Sequence, residues 1–195
     1  MTPLKRILPF VVFVVGFLAL GFAAVTFILP HGQRPGGSAI GGAFALEAPD
    51  GHVVTDRDMA GRPYLVFFGY THCPDVCPAT LSDLTALYKE LGPDGARVNA
   101  LFVSVDPERD TEAAMKDYMS SFDPHIIGLS GSPDQTKAIE AAFRVYAKKV
   151  PDKDGSYTMD HIAITYLMDK TGRFVGAFNL DRPVKESAAD LRRYF

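Results

Sequence analysis

The sequence predicts an α/β domain, a mostly parallel central sheet with flanking helices, behind one N-terminal transmembrane helix. Two observations carry this. An uncharged apolar run fills Ile7–Leu29. From Pro63 onward, strand-like segments alternate with helix-like ones, the pattern of a parallel sheet covered on both faces. With 195 residues and 47% hydrophobic content, the chain has material for one well-packed domain and little for a second. The expected division is a cytoplasmic stub and transmembrane anchor over 1–30, a flexible linker over 31–42, and a single folded domain over 43–195.

The anchor comes first. Ile7–Leu29 is 23 residues long and as a helix spans roughly 34 Å, against a hydrocarbon core of about 30 Å. The apolar part of a cleaved signal peptide is normally about 7–15 residues and ends at a small-residue site; this run is longer, and no clear A-x-A site follows it. Lys5 and Arg6 precede it, so the amino terminus is expected inside and the rest of the chain outside. Two of the 20 basic residues lie in that leader. The remainder thus carries 18 basic against 23 acidic groups, a net charge of −5. No basic stripe remains to bind nucleic acid.

The linker is rich in Gly and Pro. "FALEAPDGHVVT" alternates around a Pro-Asp-Gly turn, as a hairpin does. "PYLVFFGY", Pro63–Tyr70, is a buried strand. "PATLSDLTALYKEL" sets Leu81, Leu84, Leu87, Tyr88 and Leu91 at helical spacing. Strand "RVNALFVSVD", helix "TEAAMKDYMSSF", short strand "HIIGLSG" and a long helix over "PDQTKAIEAAFRVYAKKV" follow. Two strands, "DHIAITYLMD" and "GRFVGAFNL", are joined by the turn "KTG" into a closing hairpin that adds antiparallel strands, and Pro183–Phe195 is a last helix. This order is the thioredoxin-like layout. In it the functional loop lies at the carboxyl end of a central strand, entering the next helix.

That loop is "FGYTHCPDVCPAT", Phe68–Thr80, and it holds both cysteines of the chain, Cys73 and Cys77. Three readings are open. A structural disulfide fits the i, i+4 spacing, but closing so short a loop contributes only roughly 2 kcal/mol. A thiol redox pair suits an exported domain. Pro78 is tolerated only in a first helical turn, which puts Cys77 at a helix start, where the macrodipole lowers a thiol pKa. The spacing, however, is C-x-x-x-C and not the C-x-x-C of thioredoxin-type reductases. The third reading is a metal site, in which two soft thiolates suit Cu(I) or zinc and call for a third ligand. Of His31, His52, His72, His125 and His161, the last stands out: the strand it opens neighbours the cysteine strand in a thioredoxin-like sheet.

Together, "GYTHCPDVCPATL", "VSVDPERDT" and "DHIAITYLMDKTGRF" resemble the Sco/SenC family, membrane-anchored, thioredoxin-like copper proteins of cytochrome c oxidase assembly. The resemblance covers Phe44 to the end of the sequence and implies an N-terminal anchor in the inner membrane, with the domain on the periplasmic or intermembrane-space side. It implies copper, Cu(I) or Cu(II), on Cys73, Cys77 and His161, with Cys73 and Cys77 also able to form a redox-active disulfide. It implies work as a metallochaperone and not as a turnover enzyme. The partners implied are the dinuclear copper centre of cytochrome c oxidase subunit II as recipient and a copper donor chaperone. Ala163 stands where many thioredoxin-like proteins carry a cis-proline that binds extended peptides, which favours metal binding over general disulfide exchange. The alternative function is a thiol-disulfide oxidoreductase that keeps cysteines of an exported partner reduced.

Other stretches read as structure. Asp110 or Thr111 can cap the helix after "VDPERDT"; the alternative for this stretch is a partner-contact loop beside the copper site. Asp160 either orients the imidazole of His161 or is a plain solvent-facing residue. Met115, Met119, Met159 and Met168 are too scattered for a thioether site and are expected to pack.

Overall fold

The computed structural model describes residues 40–195. The expected anchor and most of the linker fall outside the described residues. Among the described residues no helix is long and apolar enough to cross a membrane.

The chain opens with a hairpin, β1 (Ala45–Glu47) and β2 (Val53–Thr55), paired antiparallel with Leu46 opposite Val54. Its turn uses Gly51 at φ +83°, where a side chain is disfavoured. Then come β3 (Tyr64–Gly69), α1 (Val76–Leu91), β4 (Asn99–Ser104), α2 (Glu112–Met119), β5 (Ile126–Leu129) and α3 (Pro133–Phe143). The chain continues through β6 (Ala147–Pro151), β7 (Tyr157–His161), β8 (Thr165–Met168), β9 (Phe174–Ala177) and α4 (Val184–Arg192).

The central sheet has five strands in the order β5-β4-β3-β8-β9. All six residues of β3 are buried, as its unbroken apolar sequence requires of a central strand. The sheet is mixed, a parallel part joined by the antiparallel strands of the closing hairpin that the sequence predicts. β3, β4 and β5 are parallel, whereas β8 runs antiparallel to both β3 and β9. Connection length decides this: helices α1 and α2 carry the chain back between parallel neighbours, while the tight turn from Asp169 to Gly172 permits only an antiparallel β8–β9 pair. The direction of β8 matters for the site. Its first residue, Thr165, pairs with Phe67 near the carboxyl end of β3, so whatever precedes Thr165 arrives at the cysteine loop.

Two expected elements are divided differently. The helix expected over 133–150 ends at Phe143, with Arg144 left-handed at φ +55°. Its start is firm: Pro133 follows Ser132, whose hydroxyl accepts the N–H of Gln135, and the Gln135 side chain accepts the N–H of Ser132 in return. Beyond Arg144 the chain is extended. Residues 147–151 pair with 157–161 through a turn in which Gly155 takes φ +88°. The strand expected over Asp160–Asp169 is correspondingly two strands, so His161 closes β7 and does not open β8.

The methionines pack as expected. Met115 and Met168 are fully buried, and Met119 and Met159 lie against the core.

Candidate metal site

α1 carries the first half of the site. Cys77, Leu81, Leu84, Tyr88 and Leu91 form its buried stripe at intervals of three and four residues. The periodicity that sends the leucines into the core thus sends the thiol of Cys77 there as well, and Cys77 is completely buried. The space is tight: a Cβ on Gly69, the last residue of β3, would lie 2.7 Å from Cys77 Sγ and from Phe102. Glycine at that position lets the sulfur lie against the strand end.

Cys73 stands in the loop between β3 and α1, its N–H donating to Tyr70 O at 3.2 Å. The residue before the helix, Asp75, makes no side-chain cap bond. Instead the N–H of Cys77 donates to Cys73 Sγ at 3.4 Å, so a sulfur takes up one of the free donors of the helix start. Both cysteines are free thiols.

His161 brings the third donor. Its Nε2 lies 3.6 Å from Cys77 Sγ, and one ligand atom from each of Cys73, Cys77 and His161 falls within 4.8 Å of the others. Its Nδ1 contacts the carbonyl of Ile162 at 3.3 Å. A carbonyl only accepts, so Nδ1 carries the proton and Nε2 presents its lone pair towards the sulfurs. That carbonyl orients the ring in the role considered for Asp160, which is exposed. The ring is also held edge-on by Tyr70 at 5.6 Å and Phe67 at 6.5 Å between centroids.

Burial sets the protonation states. It lowers the His161 pKa below the ordinary imidazole value, which favours the neutral ring. Burial is also the largest influence on Cys77, whose pKa is raised, with the hydrogen bond to Cys73 adding to the effect. The expected lowering by the helix start is therefore overridden at Cys77: desolvation of a fully buried thiolate outweighs a helix-terminus effect worth at most about 2 kcal/mol.

Of the other histidines, His72 is exposed and contacts Thr71 Oγ1 at 3.0 Å. His125 pairs with Asp123 and stacks on Tyr88, and His52 pairs with Asp50. His31 lies outside the described residues. Sequence reasoning missed the support under the cysteine loop. Thr111 does cap α2, accepting the N–H of Ala114, but Asp110 has another place. It is 1% exposed, accepts the Thr71 hydroxyl at 2.7 Å and its N–H at 3.2 Å, and accepts Ser104 Oγ at 2.6 Å. Burial raises its pKa, and those hydrogen bonds oppose the rise. The available signal was a run of charge, "DPERD", at a strand end beside the functional loop.

The fold and its donors define a class: a thioredoxin-like α/β domain in which two thiols of the strand-to-helix loop meet one imidazole from the end of β7. The chain matches the SCO1/SenC family over residues 32–195 and belongs to that family. The solved structure described as Bradyrhizobium japonicum ScoI with copper bound is 58% identical. It superposes with a TM-score of 0.78 over 80% of this chain and 99% of that one. Protein SCO1 homolog 1, mitochondrial, of Arabidopsis thaliana is 39% identical over 155 residues, 79% of this chain and 46% of its own length. Protein SCO1 homolog, mitochondrial, of Homo sapiens is 37% identical over 158 residues, 78% of this chain and 52% of its own. The chain thus spans about half the length of these two curated relatives.

Proposed function

We propose that this chain is a membrane-anchored metallochaperone. It binds copper through Cys73, Cys77 and His161 and assists assembly of the dinuclear copper centre of cytochrome c oxidase subunit II. The observation that carries the reading is the convergence of two sulfurs and an imidazole nitrogen within 4.8 Å. The donor chemistry fits the cargo: thiolates and imidazole are soft to borderline ligands that suit Cu(I), and the imidazole also accommodates Cu(II). The copper-bound ScoI relative supports it. The protein's own residues do four things. The helix start fixes the cysteine pair, the Ile162 carbonyl fixes the imidazole tautomer, burial favours the neutral form of His161, and the aromatic rings hold it in place.

Because only thiolates coordinate, copper must displace the proton that burial keeps on Cys77. Titration of the reduced protein is expected to give one copper per chain. Apparent affinity should rise with pH between pH 6 and 8 by about tenfold per unit for each proton released. Burial lowers the His161 pKa, so the imidazole adds less to that slope than an exposed histidine would. Binding that is independent of pH, or that needs more than one copper, would overturn the reading.

A second reading, a thiol-disulfide oxidoreductase acting on an exported partner, is favoured by one observation, the juxtaposition of two free thiols across one helical turn. It needs both sulfurs and no imidazole, so a His161 variant separates the two functions.

The anchor, the linker and the division at residues 30 and 42 belong to the same proposal; the anchor rests on the uncharged run after Lys5 and Arg6 and the linker on its Gly and Pro content. The full-length chain is expected to stay with membranes through carbonate washing. Its domain should be open to protease from the periplasmic or intermembrane-space side. Recovery of a soluble mature form lacking the first thirty or so residues would refute the anchor and leave the copper site untouched.

A further inference from the structure

His161 sits at the end of a hairpin with little of its own to hold it still. β6 and β7 pair with each other and, among the described residues, with no other strand. All but the first residue of β6 are exposed, and β7 alternates between exposed and half-buried. Yet the imidazole must stay within reach of two sulfurs on a different element. Ala147 and Met159 pack against the core and Tyr70 reaches the Met159 backbone; the hydrogen bonds and charge that tie the exposed hairpin to the body come from the loop Asp106–Asp110.

Arg109 is the centre of that tie. Its Nε donates to Asp106 Oδ2 at 2.5 Å and its Nη1 to the carbonyl of Tyr157 in β7 at 2.9 Å. The guanidinium carbon lies 3.6 Å from the centroid of the Tyr157 ring and 5.7 Å from that of Tyr70. The Tyr157 hydroxyl closes the circuit by donating to Asp106 Oδ1 at 2.8 Å. Asp106 is completely buried, and Nη2 of Arg109 is buried without a hydrogen-bond partner among the described residues, so the two rings supply its remaining compensation. Tyr70 in turn stands edge-on to His161. The other end of the same loop holds the cysteine side, through Asp110 and Thr71.

From this arrangement we infer that Arg109 is a positioning residue for the metal site. It braces the β6–β7 hairpin against the loop that also fixes the cysteines, and so sets the distance between the imidazole and the sulfurs. The inference rests on the ligand reading proposed above. Arginine suits the task because its planar fork bonds to the Asp106 carboxylate and the Tyr157 carbonyl while its face stacks on a ring, which a lysine ammonium does not reproduce.

The test uses the full-length chain in detergent, as wild type, Arg109→Met, Arg109→Lys, His161→Ala and the Arg109→Met/His161→Ala double variant. In the metal-free protein, amide exchange at 157–161 should quicken by about tenfold or more in Arg109→Met, while the β3 amides keep their protection. Cu(I) affinity should fall about 10- to 100-fold, the usual cost of removing a group that orients a ligand. The nitrogen hyperfine coupling of the Cu(II) form should weaken. In the His161→Ala background the same change should alter affinity by less than about twofold, since no imidazole remains to position. Arg109→Lys should fall between, and it carries the test if the methionine variant does not fold. Unchanged exchange in the hairpin, or an equal loss of affinity in both backgrounds, overturns the brace. Wild-type copper affinity in His161→Ala alone overturns instead the ligand reading beneath it.

Discussion

Replacing His161 with alanine is expected to lower Cu(I) affinity by more than about a hundredfold, beyond the roughly 10- to 100-fold that changes to orienting groups cost. That is a loss of more than about 2.7 kcal/mol of binding free energy. Any Cu(II)–thiolate absorption should vanish. The thiols respond in the opposite sense. Desolvation is the largest influence raising the Cys77 pKa, and the imidazole lies 3.6 Å from that sulfur, so its removal admits water and makes Cys77 more reactive than it is in the wild type. Cys73 and Cys77 should still cycle between dithiol and disulfide. A cell carrying the variant would then lack assembled oxidase while keeping the thiol chemistry. Should the variant assemble oxidase normally and bind copper as wild type does, His161 is no ligand and the oxidoreductase reading takes its place.

Much of this site was legible because its determinants are local. The apolar run of β3, the leucine stripe of α1 and Pro78 in its first turn place the cysteines at a strand-to-helix junction. What was not legible depended on partners distant in sequence. The helix expected across 133–150 failed at Arg144 because Ala147–Pro151 finds a strand partner in Tyr157–His161, and pairing overrides a helical pattern of six residues. The same error made His161 the first residue of a sheet strand. It still arrives at the cysteines, because β8 is antiparallel to β3 and starts at the cysteine end of the sheet. The pKa of Cys77 was expected low from its place at a helix start; that the same helical phase also buries it follows once Cys77 is counted in the register of Leu81 and Leu84. The roles of Asp106, Arg109 and Asp110 lie in contacts to Tyr157 and Thr71, about 40–50 residues away, and no spacing rule reports those.

The two cysteine-to-serine variants should both lose tight copper binding, because a hydroxyl replaces a soft thiolate, but they should differ in stability. Cys77 is completely buried, packed between Gly69, Phe102 and the helix stripe. A serine there places a shorter, more polar group in a space shaped for sulfur. Leaving that hydroxyl unsatisfied costs about 1–3 kcal/mol, which for a domain of this size lowers Tm by about 2–4 °C per kcal/mol. Cys73 is 8% exposed and lies in a loop at the edge of solvent. A hydroxyl there still accepts a hydrogen bond from the helix start or from water, so Cys73→Ser should cost less stability than Cys77→Ser. Copper titration and thermal melting of the two reduced variants decide the matter. Both are expected to be copper-free, with Cys77→Ser melting several degrees below Cys73→Ser. If either serine variant holds Cu(I) as tightly as wild type, that sulfur is not a ligand. If both melt with the wild type, the burial of Cys77 does not bear on the fold as argued.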